Sequence, residues 1–361
     1  MLNNILRSKS SSLVLAVWLA MVCGPAVFAA DVYSVKKLTT AKGGSAFAHA
    51  INKAGQVAGG TGAPHAPSAV GELWTGGVNR DINALGRSDY INALGLNNKQ
   101  QVVGSTNTDN SLRAFKWTAQ DGTQFLPVLA GDNSSEAYAI NDAGTIAGYS
   151  GGKSGLRAVL WTSADILNLG ILPGGDHSEA VALNSTGDAI GFSNGSAGSH
   201  AILWANGSAM RDLGMLPGDT SSSAADINDA RQVVGTSQTE ESSHAFLWSE
   251  TGGMQALGAL PGGARSQANG INNAATVVGS SDSSLGHRAF VWTAADGMRD
   301  LNTLVSGKSN VILTEAVAIN DAGQIVALGS TGHDLEHDRK VEIDAGIHAG
   351  PTDIFLLTPA R

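Results

Sequence analysis

The chain has 361 residues, with 22 basic and 31 acidic side chains, a formal charge of −9, 46 glycines and a single cysteine. That acidic balance argues against nucleic acid or an anionic membrane surface as partner, since both are held through clustered Lys and Arg. One cysteine excludes an intramolecular disulfide framework, so stability has to come from packing.

The N-terminus carries Arg7 and Lys9, then the apolar run from Leu13 to Cys23, then Gly24, Pro25 and small residues. This is the order of a cleavable secretory leader, and the run is too short to span a bilayer. Cleavage is expected after Ala29, with Ala30 as the close alternative. Cys23 follows Val22, where a lipid-anchor site wants a small residue, so it reads as part of the leader's apolar core. Without residues 1–29 the chain keeps 20 basic against 31 acidic residues, a formal charge of −11, and no cysteine. No other segment is long and apolar enough to cross a membrane. The expected location is therefore the periplasm, the cell surface or the medium.

Val32 to Leu38 reads as a strand with no partner beside it in sequence. Seven copies of one unit follow. Asn52, Asn97, Asn141, Asn184, Asn228, Asn272 and Asn320 recur about every 44 residues, each after Ile or Leu. Glycine stands seven positions later in six copies and is replaced by Ala327 in the last. Trp117, Trp161, Trp204, Trp248 and Trp292 stand twenty positions later, with Trp74 two beyond that. Within a unit, short alternating runs between turn residues predict four strands, in the fifth copy Ala224 to Asn228, Gln232 to Ser237, His244 to Trp248 and Met254 to Ala259. Pro-Gly pairs such as Pro173-Gly174 suit the centre of a type II turn.

The seventh copy supplies strands at Ala316 to Asn320, Gln324 to Leu328 and Ile354 to Thr358 and then ends. The unclaimed N-terminal strand is the missing fourth. An open solenoid has no use for that exchange, whereas a ring needs it to remove two strand edges. The expected fold is an all-β, seven-bladed propeller spanning 30–361, with four-stranded blades and an insertion at 329–352 in the last blade. Alanine four positions before every repeat asparagine, from Ala48 to Ala316, fits strands that converge on an axis.

At His244-Ala245-Phe246, Arg288-Ala289-Phe290, Arg113-Ala114-Phe115 and His200-Ala201-Ile202, together with the Gly-x-Val-Val-Gly-x-Ser and Leu-Gly-x-Leu-Pro-Gly-Gly stretches, the chain resembles the HAF repeat family of predicted extracellular bacterial proteins. The resemblance covers all seven units. It departs at Ala69 to Trp74, which lacks the His-Ala-Phe pattern, and at Leu357, which replaces Trp. It implies export and a repeat fold, and carries no catalytic residues.

Two sets of residues are candidates for a site on the face bearing the irregular loops. Arg113, Arg157, His200, His244 and Arg288 share a position at the start of the third strand, and Glu136, Glu179 and Glu315 share one at the start of the inner strand. As a mixed ring they suit an anionic or sugar ligand, with Asp226 intruding among small residues. As structure they are ion pairs or loop contacts, and repetition favours this, because packing roles recur in every blade. His333-Asp334-Leu335-Glu336-His337 matches a zinc peptidase pattern, with His348, Glu342 or Asp344 as further ligands. Its flanking glycines and lack of helical context make a solvated charged loop the blander reading of His333 and His337. No nucleophile elbow, phosphate loop or calcium loop stands out, and no cofactor is implied. The expectation is a monomeric, secreted, non-catalytic scaffold for a protein or envelope polysaccharide. The rival is an extracellular polysaccharide lyase or hydrolase with its site on the same face.

Overall fold

The computed structural model describes residues 33–40, 45–62, 69–82, 90–108, 111–205, 209–306, 310–331 and 352–360. The expected leader and the His333 and His337 pair lie outside the described residues. Seven antiparallel sheets of four strands each make seven blades. Blade 5 runs Ser221–Ile227, Val233–Gln238, Ser243–Ser249 and Gly253–Ala256, in that spatial order from the axis outward, here called strands a to d. Strand a starts earlier than its sequence pattern suggests, because Ser221, Ser222 and Ser223 pair with Gln238, Ser237 and Thr236. The only helical element among the described residues is the 3-10 turn Leu301–Thr303.

Blade 7 is built from both ends of the chain. Val311–Ile319, Ile325–Thr331 and Asp353–Pro359 are its strands a to c, and Tyr33–Leu38 is strand d, in register from Tyr33 opposite Pro359 to Leu38 opposite Ile354. The expected exchange of termini is therefore present. Gly329 to Thr331 extend strand b instead of opening the insertion.

Apolar packing closes the same circle. Buried side chains cluster at each of the seven blade junctions; one cluster combines Ala182, Ile190 and Leu203 of blade 4 with Ile227, Phe246 and Trp248 of blade 5. Another joins Val326 and Ile354 of blade 7 to Ala48, Val57 and Trp74 of blade 1. Sheets pack face to face, so the aromatic residues of strand c fill the wide outer gaps and alanine the narrow inner ones.

Polar contacts repeat with the same period. Each repeat asparagine is buried and caps its own turn: the Asn52 Oδ1 accepts from the backbone of Ala54 and Gln56 at 3.1 and 3.0 Å. Its Nδ2 then donates to the carbonyl of Asn97 in the next blade at 3.2 Å. Asn97, Asn141, Asn184, Asn228 and Asn272 do the same in turn, and Asn320 returns to the Asn52 carbonyl at 3.0 Å. Seven side chains thus form one closed hydrogen-bonded ring.

The family-like stretches have the same kind of cause. Ser135, Ser178, Ser222 and Ser266 accept from the backbone of Ala114, Ala158, Ala201 and Ala245 in the preceding blade, at 2.8–3.0 Å. Ser150, Ser193, Ser237 and Ser281 accept from the backbone of Leu129, Leu172, Leu216 and Leu260 at 2.9–3.0 Å. The backbone of strand c and of the Leu-Pro-Gly loops is buried there, and an unpaired amide is costly. Gly174, Gly218 and Gly262 take positive φ as a type II turn requires.

Candidate functional site

Every strand a carries a β-bulge three residues before its repeat asparagine, seen as a register shift in all seven blades, for example between Ala137 and Ala139. The bulge drives strand a against strand b. A Cβ on Gly104 would lie 1.8 Å from the Asn92 carbonyl oxygen, which is why glycine recurs seven positions after the asparagine. It also takes the residue three before the asparagine out of the pairing, while the one five before stays paired with strand b. Here the blades differ. Five before, the residues are Phe47, Asn92, Glu136, Glu179, Ser223, Gln267 and Glu315; three before, they are His49, Leu94, Tyr138, Val181, Ala225, Asn269 and Val317. Both positions lie toward the end of strand a that meets the irregular loops.

Blades 2 to 4 gather most of the chemistry. The Ser105 hydroxyl donates to Glu136 Oε1 at 2.6 Å. The Tyr138 hydroxyl donates to Glu179 Oε2 at 2.8 Å, and His177 Nε2 lies 2.8 Å from Glu179 Oε1. The Tyr138 and Tyr149 rings are 6.0 Å apart, and the His177 imidazole stacks on Phe192 at 5.4 Å. Burial raises the hydroxyl pKa of Tyr90, Tyr138 and Tyr149, and the negative charge of Glu136 raises each further. These tyrosines therefore stay protonated and act as donors. Glu136, Tyr90 and Tyr149 form the buried floor, while Tyr138, His177, Glu179 and Phe192 are partly exposed. Asn92 is fully buried beside them within reach of the Tyr90 hydroxyl, and neither its amide oxygen nor its nitrogen makes a well-formed hydrogen bond.

The two candidate sets read from the sequence part company. Glu136 and Glu179 meet in this cluster; Glu315 instead accepts from Asn269 Nδ2 at 3.0 Å across the junction of blades 6 and 7. The strand c set lies two strands out and is engaged locally. Arg113 donates to the Leu126 carbonyl at 3.1 Å, Arg157 pairs with the buried Asp132, and Arg288 donates to the His287 carbonyl at 2.8 Å. His200 lies 2.7 Å from Asp212, and His244 3.1 Å from Asp219. Asp226 is engaged as well. Its two oxygens accept from the backbone of Ile227 at 2.8 Å and of Ile271, in the next blade, at 2.9 Å, and burial pushes its pKa up to about 6.

The sequence reading passed over Tyr90, Asn92, Tyr138, Tyr149 and His177. A usable signal was scarcity: the chain has four tyrosines, and three of them are here. No group of three or more potential metal ligands occurs among the described residues, and no described helix is long and apolar enough to cross a membrane.

No family model and no curated protein sequence matches the chain. Solved structures do. Selenomethionine-substituted virginiamycin B lyase from Staphylococcus aureus aligns with a TM-score of 0.56 at 11% identity, covering 91% of this chain and 99% of that one. A catalytically inactive form of the same lyase with quinupristin aligns at 0.54 and 9% identity, covering 91% and 100%. YCF48 bound to D1 peptide aligns at 0.52 and 10%, covering 92% and 99%. At such identities the likeness is one of fold alone.

Proposed function

We propose that this chain is an exported, non-catalytic propeller of the HAF repeat type that binds a ligand on its irregular-loop face, at the axial mouth over blades 2 to 4. One observation carries the reading. The repeat asparagine, the paired serines and the inner alanine serve the same role in blade after blade, whereas the mouth positions change from blade to blade and place Glu136, Glu179, Tyr138 and Tyr149 together. Residues held by structure repeat; a site for one asymmetric ligand has to break the repetition. The leader-like residues 1–29 and the His-Ala-Phe stretches support export.

A second reading, an enzyme acting on an extracellular polysaccharide as lyase or hydrolase, draws on the same cluster: a carboxylate hydrogen-bonded to a tyrosine hydroxyl, and a second carboxylate acting on that hydroxyl through its charge, are groups that can serve proton transfer at a sugar. The solved structures named above include both a lyase and a peptide-bound protein, so the fold discriminates neither reading. Peptide and glycan arrays, run beside a polymer-degradation screen on the purified protein, test both. Binding without turnover supports the scaffold; turnover abolished by Glu179→Gln overturns it in favour of the enzyme.

A further inference from the structure

Resting on the mouth as the binding site, we infer that the group it takes is a cation, the guanidinium or ammonium of an arginine or lysine side chain presented by a peptide. Three observations converge on that chemistry. The first is charge: two carboxylates, Glu136 and Glu179, share a compartment in which three tyrosines feel the Glu136 field, and their side-chain donors named above are hydroxyls and one imidazole. The second is the aromatic wall. Tyr138 and Tyr149 place two π faces beside those carboxylates, and a cation gains from ring faces and from charge-assisted hydrogen bonds together.

The third is Asn92. It stands directly opposite Ser105 in the strand pairing, and the Ser105 hydroxyl reaches Glu136. Two residues earlier on the same strand face, the Tyr90 hydroxyl feels the charge of Glu136, which raises its pKa, and lies within hydrogen-bonding reach of the Ser105 and Asn92 side chains, which lower it. The Asn92 amide thus faces the cluster, fully buried, approached by the Tyr90 hydroxyl but with neither polar atom in a well-formed hydrogen bond. A buried amide in that condition is unfavourable until something fills its hydrogen bonds. A guanidinium, with five donors in a planar fork, can meet an amide oxygen and a carboxylate at once. Across the axis, Ser223 and Ala225 leave the mouth lined by short side chains, and Gln267 and His49 are solvent-exposed.

The test is calorimetric titration of the purified protein with a capped hexapeptide bearing two central arginines, with its citrulline counterpart of equal shape and no charge, and with a neutral oligosaccharide. The arginine peptide is expected to bind at least tenfold more tightly than the citrulline peptide, and to weaken as sodium chloride is raised. Glu179→Gln, at a partly exposed position, should remove at least tenfold of that affinity without changing the melting temperature. Glu250→Gln, whose carboxylate pairs with Arg211 on the outer surface, should leave it unchanged. Tyr138→Phe, which keeps the ring and drops the hydroxyl, gives a second measure should Glu179→Gln fold poorly. Equal binding of the arginine and citrulline peptides, no binding of the arginine peptide at millimolar concentration, or undiminished binding by both variants overturns the cation. If the oligosaccharide alone binds, the mouth stands as a site and its charge preference falls. Blank peptide and glycan arrays with this panel overturn the binding function itself.

Discussion

The two faces of the wheel are made by the two ends of the same strand, and they behave oppositely. On the turn face one asparagine makes the same inter-blade bond seven times, closing from Asn320 onto Asn52. At the mouth, five residues earlier, the side chain is Phe, Asn, Glu, Glu, Ser, Gln and Glu in successive blades. Circular closure requires every junction to hold, so residues that make junctions cannot vary without opening the ring. The mouth also carries inter-blade bonds, from Ser105 to Glu136, Tyr138 to Glu179 and Asn269 to Glu315, but they use different partners at each junction and are absent as a repeated set, so this position is free to specialise.

The sharpest way to break this contrast is at the clamp. Asn320→Ala deletes the bond to Asn52 and leaves the backbone of Ala322 and Gln324 without the Asn320 Oδ1. It is expected to cost about 3 kcal/mol, read as a lower urea midpoint. Ser222→Ala, which orphans the buried Ala201 amide and the Gly214 carbonyl at a single blade junction, should cost about 2 kcal/mol. Glu179→Gln at the mouth should move neither midpoint nor melting temperature.

Asp226 lies between these extremes, since it departs from the repeat yet acts as a junction. Its folded pKa of about 6 exceeds the ordinary 3.8 because burial disfavours the charge. Below about pH 4 the carboxyl is protonated in folded and unfolded chains alike. Between pH 4 and 6 the unfolded chain releases the proton first, so stability from this group is present at low pH and lost as pH rises through about 6. The expected loss is about 2–3 kcal/mol. Asp226→Ala, which installs the residue found at this position in blades 1, 3, 4 and 7, should flatten that window in urea titrations run from pH 4 to 7.

The smallest effect sharpens the clamp itself. The fourth residue of each asparagine turn has positive φ; it is glycine in four blades but Gln100, Arg231 and Ala275 in the others. Arg231 earns its place by donating to the buried Asp188 at 2.7 and 3.0 Å. Ala275 has no such role, so Ala275→Gly should raise stability by about 0.5–1 kcal/mol, checked by the same urea midpoint.

Some of the site was legible before the fold was known. Position within the repeat placed Glu136 and Glu179 near the irregular-loop face, and period alone could do this because every blade is superposable on the next. For the strand c set repetition favoured ion pairs or loop contacts over a ligand role, and His200 with Asp212, Arg157 with Asp132 and Arg113 with the Leu126 carbonyl are contacts of that kind, although no spacing announces the partner. Asp226 stood out in the sequence as an acid among small residues, but its partners were not legible there. The bulge shifts strand a by one residue just before it, so regular alternation does not aim that side chain, and one of its donors, Ile271, belongs to the next blade.

Read as a string of residues, the chain already specified the number of blades, their strands and the exchange of its two ends, because those follow from a period and from which segment is missing at each terminus. The meeting of Tyr138 with Glu179, or of Asn92 with the compartment around Glu136, was decided only in three dimensions. Those partners lie about 40 residues apart on different sheets, and their approach depends on how a bulge and the tilt of neighbouring blades aim each side chain, which no local pattern encodes.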